Sequence, residues 1–181
     1  MSPIMEWDEL KVIRETAVNL FSRKPSQRER ERFCDYLDYV LCLIYLYGWK
    51  DAEEIIGIVP FVDGLDDKAV NHKIDGKTFR DRVTAESTPD DILRIIDTEA
   101  HRDYNTGIFD AAETSGKPGI MKRWNTMMDN RVRDPHAYME GMTVGLNDRF
   151  YTYSGENTMF PGGFGVPELD CNCRCYITLA I

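Results

Sequence analysis

The chain has 181 residues, enough to bury a hydrophobic core as one domain or two small ones. Its formal net charge is −9, which argues against direct nucleic-acid binding, because such binding depends on basic charge that displaces counterions. The most apolar window, residues 40–49, is too short for a membrane span, and no signal-peptide pattern precedes it. We therefore expect a protein of the reducing cytoplasm, with its five cysteines free or bound to metal.

Two helices are predicted in the first fifty residues. Over residues 7–21, apolar side chains recur at helical spacing at Leu10, Ile13, Ala17 and Leu20. Ser26 and Glu29 then have the spacing of a capping box, which predicts that a second helix begins there and runs to about Tyr47. The first half of this second helix is charged, and its second half is apolar on all sides.

The segment 40–49 is apolar on every helical face. A segment of this kind is either deeply buried in its own chain or covered by a partner. Aromatic residues concentrate binding energy at interfaces. We therefore expect part of the segment to contact a partner subunit, with Tyr45, Tyr47 and Trp49 as the anchors.

The third predicted helix has the clearest boundaries. Residues 57–73 read as a loop followed by a short helical turn. Thr88 can then cap a helix, Pro89 suits its first position, and the acidic residues that follow favour the positive end of the helix dipole. The helix is predicted over about residues 88–115, since Gly116 ends the pattern.

A glutamate and an arginine continue an isoleucine stripe on this third helix. Ile95, Glu99 and Arg102 fall within a narrow sector of the helical wheel. One interpretation is an amphipathic helix whose inner edge carries an ion pair, and the other is a semi-buried pair that fixes the helix to the domain beyond it. In both cases we expect Glu99 and Arg102 to serve the fold rather than catalysis.

Beyond Gly116 the pattern changes to short strands, predicted over residues 122–126, 142–144, 149–153 and 175–179. A short helical turn begins at residue 134 and ends near Gly141. The predicted fold class is α+β, with an N-terminal helical region of three main helices and a small mixed α+β C-terminal domain with short antiparallel strands. We divide the chain into residues 1–75, of unassigned role, and residues 76–181, whose sheet module covers about 120–181.

Three of the five cysteines lie within five residues, at Cys171, Cys173 and Cys175. In an extended segment these side chains point to the same face, because side chains alternate along a strand. Neighbouring positions of this kind fit disulfide geometry poorly. The run therefore indicates a metal-binding corner, a small apolar stripe or a family signature.

Several short motifs agree in order along the second half of the chain. Their residues are Thr98, Glu99, Arg102, Asp129, Arg131, His136, Gly141, Pro161, Gly162, Asn172, Cys173, Arg174 and Cys175. This order and spacing, over roughly residues 76–181, resembles the phage Mu F-like minor head proteins of the phage head-morphogenesis family.

The resemblance implies a structural minor capsid protein of a tailed phage or prophage, with these motif residues in structural roles. It implies association with the portal protein, and contact with capsid or scaffold proteins as an extension. The expected role is in head assembly or DNA passage. The implied location is the virion, in the capsid interior near the portal, with the host cytoplasm during assembly.

The resemblance also bears on metal binding. Some relatives carry a cysteine pair where this chain has Arg133 and His136, a pattern that suggests zinc. In this chain His136 could join Cys171, Cys173 and Cys175 around one ion, since thiolates and imidazole suit tetrahedral zinc. The alternative is that the cysteines pack as small apolar residues while His136 is hydrogen-bonded. We expect no cofactor, with zinc as the open alternative.

A second function class is a small nuclease or toxin-like effector built on the same kind of domain. Acidic, basic and phosphate-binding groups could be combined from Glu99, His101, Arg102, Arg131 and His136. No nucleophile or cluster of metal-binding carboxylates supports that combination. We therefore expect no enzymatic activity and assign no catalytic residue.

Overall fold

The computed structural model describes residues 7–86 and 88–181. Residues 1–6 of the predicted N-terminal region and residue 87 lie outside this description. The helices are α1 (Asp8–Phe21), α2 (Gln27–Ile56), α3 (Leu65–Val70), α4 (Phe79–Ala85), α5 (Pro89–Thr114), α6 (Asp134–Tyr138) and α7 (Pro167–Asp170). The strands are β1 (Met121–Asn125), β2 (Thr143–Gly145), β3 (Phe150–Tyr151), β4 (Asn157–Thr158) and β5 (Tyr176–Ala180). The α+β prediction is confirmed.

Capping side chains define where α2, α4 and α5 begin. Ser26 and Glu29 form the predicted capping box at the start of α2. The Thr88 hydroxyl accepts a hydrogen bond from the backbone amide of Asp91 and starts α5 at the predicted position. Thr78 forms a second capping box, with Asp81, and begins α4, a helix that the sequence had not predicted.

The predicted end of α2 at Tyr47 is wrong, because the helix continues to Ile56. Residues 50–54 are polar apart from Ala52, but most of them are good helix formers, so the helix continues through them. The buried stripe continues meanwhile through Ala52 and Ile56. Gly57, with a φ of 81°, ends the helix.

The two long helices α2 and α5 cross with their backbones in direct contact. A Cβ atom placed on Gly48 of α2 would overlap the carbonyl oxygen of Tyr104 on α5. A Cβ atom on Gly107 of α5 would overlap the carbonyl oxygen of Tyr45 on α2. Two glycines therefore set the closest approach of the helix pair at the centre of the core.

This crossing corrects the predicted partner surface, because α5 covers the apolar half of α2. Tyr45 is fully buried, and its hydroxyl donates to Asp110 on α5 at 2.9 Å. Trp49 is only 4% exposed. Tyr47 is half-buried, with its ring 4.8 Å from that of Trp7. The prediction that these aromatics anchor a partner is therefore wrong for Tyr45 and Trp49.

The C-terminal half contains two small antiparallel sheets. The first has the strand order β2-β1-β5, and the second pairs β3 with β4. Trp124 on β1 lies opposite Ile177 on β5, and both side chains are buried. The predicted strand over 149–153 is reduced to two residues, and its partner β4 was not predicted because two residues carry no alternation pattern.

One hydrophobic core joins the helices to the sheet. It extends from Leu10 on α1 to Leu179 on β5 and crosses the proposed boundary after residue 75. The division into residues 1–75 and 76–181 remains a prediction. Within the described parts of the chain, every helix is too short or too polar to cross a membrane.

Candidate functional site

A buried cluster of charges lies on α5 where it faces α3 and α4. Glu99 and Arg102 are both buried, and the Arg102 guanidinium donates to Glu99 Oε2 at 3.0 Å. Arg82 of α4 donates to the other oxygen of the same carboxylate. Arg102 also donates to the carbonyl oxygen of Ala69 at 2.6 Å. Glu99 therefore lies between two guanidinium groups, and together with Arg102 it links α3, α4 and α5.

Electrostatics follow from this geometry. Burial alone would raise the pKa of Glu99, but the nearby charges of Arg102 and Arg82 outweigh it and hold the pKa below its ordinary value. Asp103 is also buried, and one of its oxygens lies 2.5 Å from Arg102 without a well-aligned hydrogen bond. Burial raises the pKa of Asp103 well above its usual range. Of the two sequence interpretations, a buried ion pair is the one that the structure contains.

Arg102 also packs closely against the turn at Gly162, in the C-terminal half of the chain. Gly162 has a φ of 85°, and a Cβ atom at this position would lie 2.9 Å from the Cβ of Arg102. Any larger residue would strain its own backbone and displace Arg102. Arg102 thus joins α5 to α3 through the Ala69 carbonyl oxygen and, by this close packing, to the turn at Gly162.

Side-chain hydrogen bonds fasten α5 to the cysteine segment and β5. Thr98 accepts a hydrogen bond from the backbone amide of Asn172 at 3.0 Å. Asn105 donates to the carbonyl oxygen of Cys175 at 3.1 Å and accepts from the amide of Ile177 at 2.9 Å. The sequence had assigned no role to Asn105. The available signal was an asparagine in a helix interior, where it is unfavourable unless its amide has a partner.

An exposed ion pair connects the loop after β1 with the C-terminal segment. Arg174 donates to both carboxylate oxygens of Asp129, at 2.8 Å and 2.6 Å. These hydrogen bonds lower the pKa of Asp129 to about 2. The Arg131 side chain is exposed, and its backbone amide donates to the Asp129 carboxylate at 3.0 Å.

Gly141 has a φ of 75° and lies against the guanidinium of Arg123. Its backbone amide donates a hydrogen bond to the carbonyl oxygen of Trp124.

His136, Cys173 and Cys175 form a buried group of metal-ligating atoms. The Nδ1 atom of His136 lies 3.7 Å from the Cys173 sulfur and 3.6 Å from the Cys175 sulfur. All three potential ligand atoms lie within 4.8 Å of one another. The structure therefore places Cys173 and Cys175, which precede β5, beside the turn that carries His136.

Cys171 is not part of this group, which corrects the predicted four-ligand set. Asn172 has a φ of 57°, in the left-handed region, so side chains do not alternate regularly across it. The carbonyl oxygen of Cys171 accepts a hydrogen bond from Arg133. The segment 171–175 precedes β5, and the expected three-cysteine face is therefore wrong for Cys171.

Aromatic rings enclose the histidine. The His136 ring stacks on Phe164 with centroids 5.8 Å apart, and Trp124 meets its edge at 5.6 Å. The Nε2 atom of His136 has no hydrogen-bond partner among the described residues. Contact with the Cys175 thiol lowers the pKa of Cys173, whereas the same contact raises the pKa of Cys175.

A cleft of about 790 Å³ opens beside this group. Its polar lining includes Arg14, Asp97, His101, Asp129, Arg131, Arg133 and Arg174. Three of these arginines are paired with carboxylates: Arg14 with Asp97, and both Arg174 and Arg131 with Asp129. The fourth, Arg133, donates to the carbonyl oxygen of Cys171.

The residues of the nuclease-like combination occupy three separate places. Glu99 and Arg102 belong to the buried cluster on α5. His101 and Arg131 line the cleft, and the Nδ1 atom of His101 lies 2.8 Å from the Asp97 carbonyl oxygen. His136 lies among the cysteines. The structure does not bring these five side chains into one reactive arrangement.

Asp170 supports a prediction on pH dependence. Its carboxylate accepts hydrogen bonds from the amides of Phe164 and Gly165, at 3.1 Å and 2.6 Å. Burial nevertheless raises the pKa of Asp170 to about 6. The folded chain therefore binds this proton more tightly than the unfolded chain, and this contribution to stability is lost as the pH rises from about 4 to about 6.

We expect Asp170→Asn to remove this slope. As the pH rises from 4 to 7, the wild type should lose free energy of unfolding that Asp170→Asn does not lose. The difference between the two should reach at most ~3 kcal/mol. Urea denaturation at several pH values measures the difference. Asp129→Asn is the control, because its pKa of about 2 places its titration below this window. Parallel curves for wild type and Asp170→Asn would contradict the prediction.

Comparisons with known proteins agree with the motif order. Residues 68–178 match the family described as Phage Mu protein F like protein. Over 85 residues the chain is 31% identical to the minor head protein GP7 of Bacillus phage SPP1, covering 46% of this chain and 28% of that protein. This chain thus matches less than a third of the length of that relative, and no solved structure gives a significant match. Since the family match covers more than half of its residues, the chain belongs to the Phage Mu protein F-like family.

Proposed function

We propose that the chain is a structural minor head protein of a tailed phage or prophage, which associates with the portal and aids head assembly or DNA passage. Family membership and the similarity to a minor head protein support a role in phage head morphogenesis. The proposed location is the interior of the head near the portal, with capsid or scaffold proteins as further contacts.

The observation that carries this proposal is how the motif side chains are used. Glu99 is paired with Arg102 and Arg82. The Thr98 hydroxyl accepts a hydrogen bond from the backbone amide of Asn172, and Arg174 forms an ion pair with Asp129. These contacts join the helices to the C-terminal module. A carboxylate buried between two guanidinium groups cannot reach a substrate, which supports a structural rather than a catalytic role.

The surface proposed to contact the portal lies at the end of α2 and in the loop that follows. We call residues 55–62 the apolar loop, because its exposed side chains are Ile55, Ile58, Phe61 and Val62. Ile58 is 92% exposed, whereas the Phe61 ring lies 5.1 Å from that of Trp49 and anchors the loop to the core. Contiguous exposed apolar residues mark interaction sites. The apolar loop therefore replaces Tyr45 and Trp49 as the proposed partner surface.

Co-purification with the portal protein of the same phage tests the proposal. We expect Ile58→Ser combined with Val62→Ser to reduce portal binding at least tenfold and to leave the melting temperature unchanged, because both side chains are exposed. The matched control is Val12→Ser combined with Val18→Ser, on the exposed face of α1.

The outcomes separate the surface from the function. If the double variant in the apolar loop binds as well as the wild type, the loop is not the contact surface. If the wild type does not bind portal protein and does not enter phage heads, the proposed function is wrong. Cleavage of DNA by the wild type, abolished by His101→Ala, would favour the nuclease alternative.

A further inference from the structure

The distances within the His136 group are those of metal ligands. Zinc lies about 2.0–2.1 Å from a histidine nitrogen and about 2.3 Å from a thiolate sulfur, so a tetrahedral ion separates these two ligands by about 3.6 Å. The observed separations between His136 Nδ1 and the two sulfurs are 3.7 Å and 3.6 Å. From this agreement we infer that His136, Cys173 and Cys175 hold one zinc ion, through Nδ1 and the two sulfurs.

A hydrogen-bonded arrangement explains these distances less well. A neutral imidazole nitrogen carries either one proton or one lone pair, so it cannot be well aligned with two sulfurs at once. Nearly equal distances from one nitrogen to both sulfurs instead describe three ligands around a common centre. All three side chains are buried, and thiolate and imidazole are the ligand types that zinc prefers.

The ligands are held in place by separate parts of the fold. His136 lies in the first turn of α6, and its ring stacks on the ring of Phe164. The left-handed conformation of Asn172 precedes Cys173, and Asn105 holds the carbonyl group of Cys175. A site of this kind exists before the ion binds, which lowers the entropic cost of binding.

A small void beside the three side chains leaves space for a fourth ligand. A void of about 10 Å³ lies next to the three ligands and is lined by Met127, Arg131, Val132, Arg133 and Asn172 among others. It has room for about one water molecule. Two thiolates cancel the charge of a zinc ion, so the bound site would be neutral. A neutral site is tolerated beside Arg131 and Arg133, whereas a positively charged site would be repelled by them.

The test is elemental analysis of the full chain purified without added metal. We expect one zinc per chain in the wild type, and less than a tenth of that in Cys173→Ser and in His136→Asn. Cys171→Ser and Cys34→Ser are matched controls that should retain full occupancy, because neither thiol belongs to the ligand group. Chelation should loosen the region beyond residue 120 before the helices, since the ion stabilises the fold where its ligands are.

Cobalt substitution provides a readout for the wild type alone, in case a ligand variant does not fold. Tetrahedral cobalt with two thiolates gives charge-transfer absorption that scales with the number of sulfur ligands. An absorption for two sulfurs supports the site, and an absorption for three would restore Cys171 as a ligand and overturn it. Wild-type protein that neither contains zinc nor binds cobalt or added zinc would also overturn it, as would Cys173→Ser with full occupancy.

Discussion

Replacing Arg102 by methionine is expected to lower the free energy of unfolding by roughly 3–5 kcal/mol, the typical cost of removing one partner from a buried ion pair. Methionine occupies a similar volume, so the change removes the guanidinium and keeps most of the packing. Glu99 would retain Arg82 but lose the two hydrogen bonds from Arg102. The Ala69 carbonyl oxygen would also lose its donor.

Glu99→Gln should cost a similar amount, because it leaves two guanidinium groups facing a neutral side chain. The double variant Glu99→Gln, Arg102→Met should cost less than the sum of the single changes, since the partners interact directly. Urea denaturation monitored by circular dichroism measures all three. Arg174→Met is the control, because its ion pair with Asp129 is exposed and should contribute no more than ~1 kcal/mol. Wild-type stability in both single variants would show that the buried pair is unimportant.

Gly107→Ala is expected to destabilise the chain, although alanine is the better helix former. In an open helix interior this change stabilises by roughly 0.5–1 kcal/mol. At Gly107 the added methyl group would overlap the Tyr45 carbonyl oxygen. The backbone of α2 cannot move aside as easily as the end of a flexible side chain could. Forced overpacking of this kind costs roughly 1–3 kcal/mol or more, and Gly48→Ala should behave in the same way.

The sign of the change makes this prediction easy to check by thermal melting. Lys50→Ala on α2 and Glu113→Ala on α5 are exposed controls on the same two helices. Both should stay within about 0.5 kcal/mol of the wild type. A Gly107→Ala protein that melts at a higher temperature than the wild type would contradict the close crossing of α2 and α5.

Local signals in the sequence were sufficient to predict where α2 and α5 begin. Ser26 with Glu29, and Thr88 before Pro89, act on backbone amides only three residues away, so their patterns can be interpreted without the fold. The order of the motifs likewise indicated the family, which the match over residues 68–178 confirms. The end of α2 was not predicted correctly, because the largely polar residues 50–54 contain no signal that stops a helix before Gly57.

The errors in the candidate site arise where contacts join distant parts of the chain. Tyr45 and Trp49 looked available to a partner, because nothing in segment 40–49 shows that α5 will cover it. Cys171 looked equivalent to Cys173, because alternation along a strand assumes an extended backbone. The sequence did not show that Asn172 between them adopts a left-handed conformation. Asn105 was given no role, since its partners lie about seventy residues further along the chain.

The helical first half, the strand-rich second half, the family and the ion-paired stripe on α5 could all be predicted from the sequence, because they depend on local periodicity and on short motifs. The sequence did not show which surface is exposed, which cysteines lie beside His136, or that Glu99 lies between two arginines. Burial and ligand geometry depend instead on contacts between distant parts of the chain. Such contacts form when α2 and α5 cross at Gly48 and Gly107 and when β5 pairs with β1.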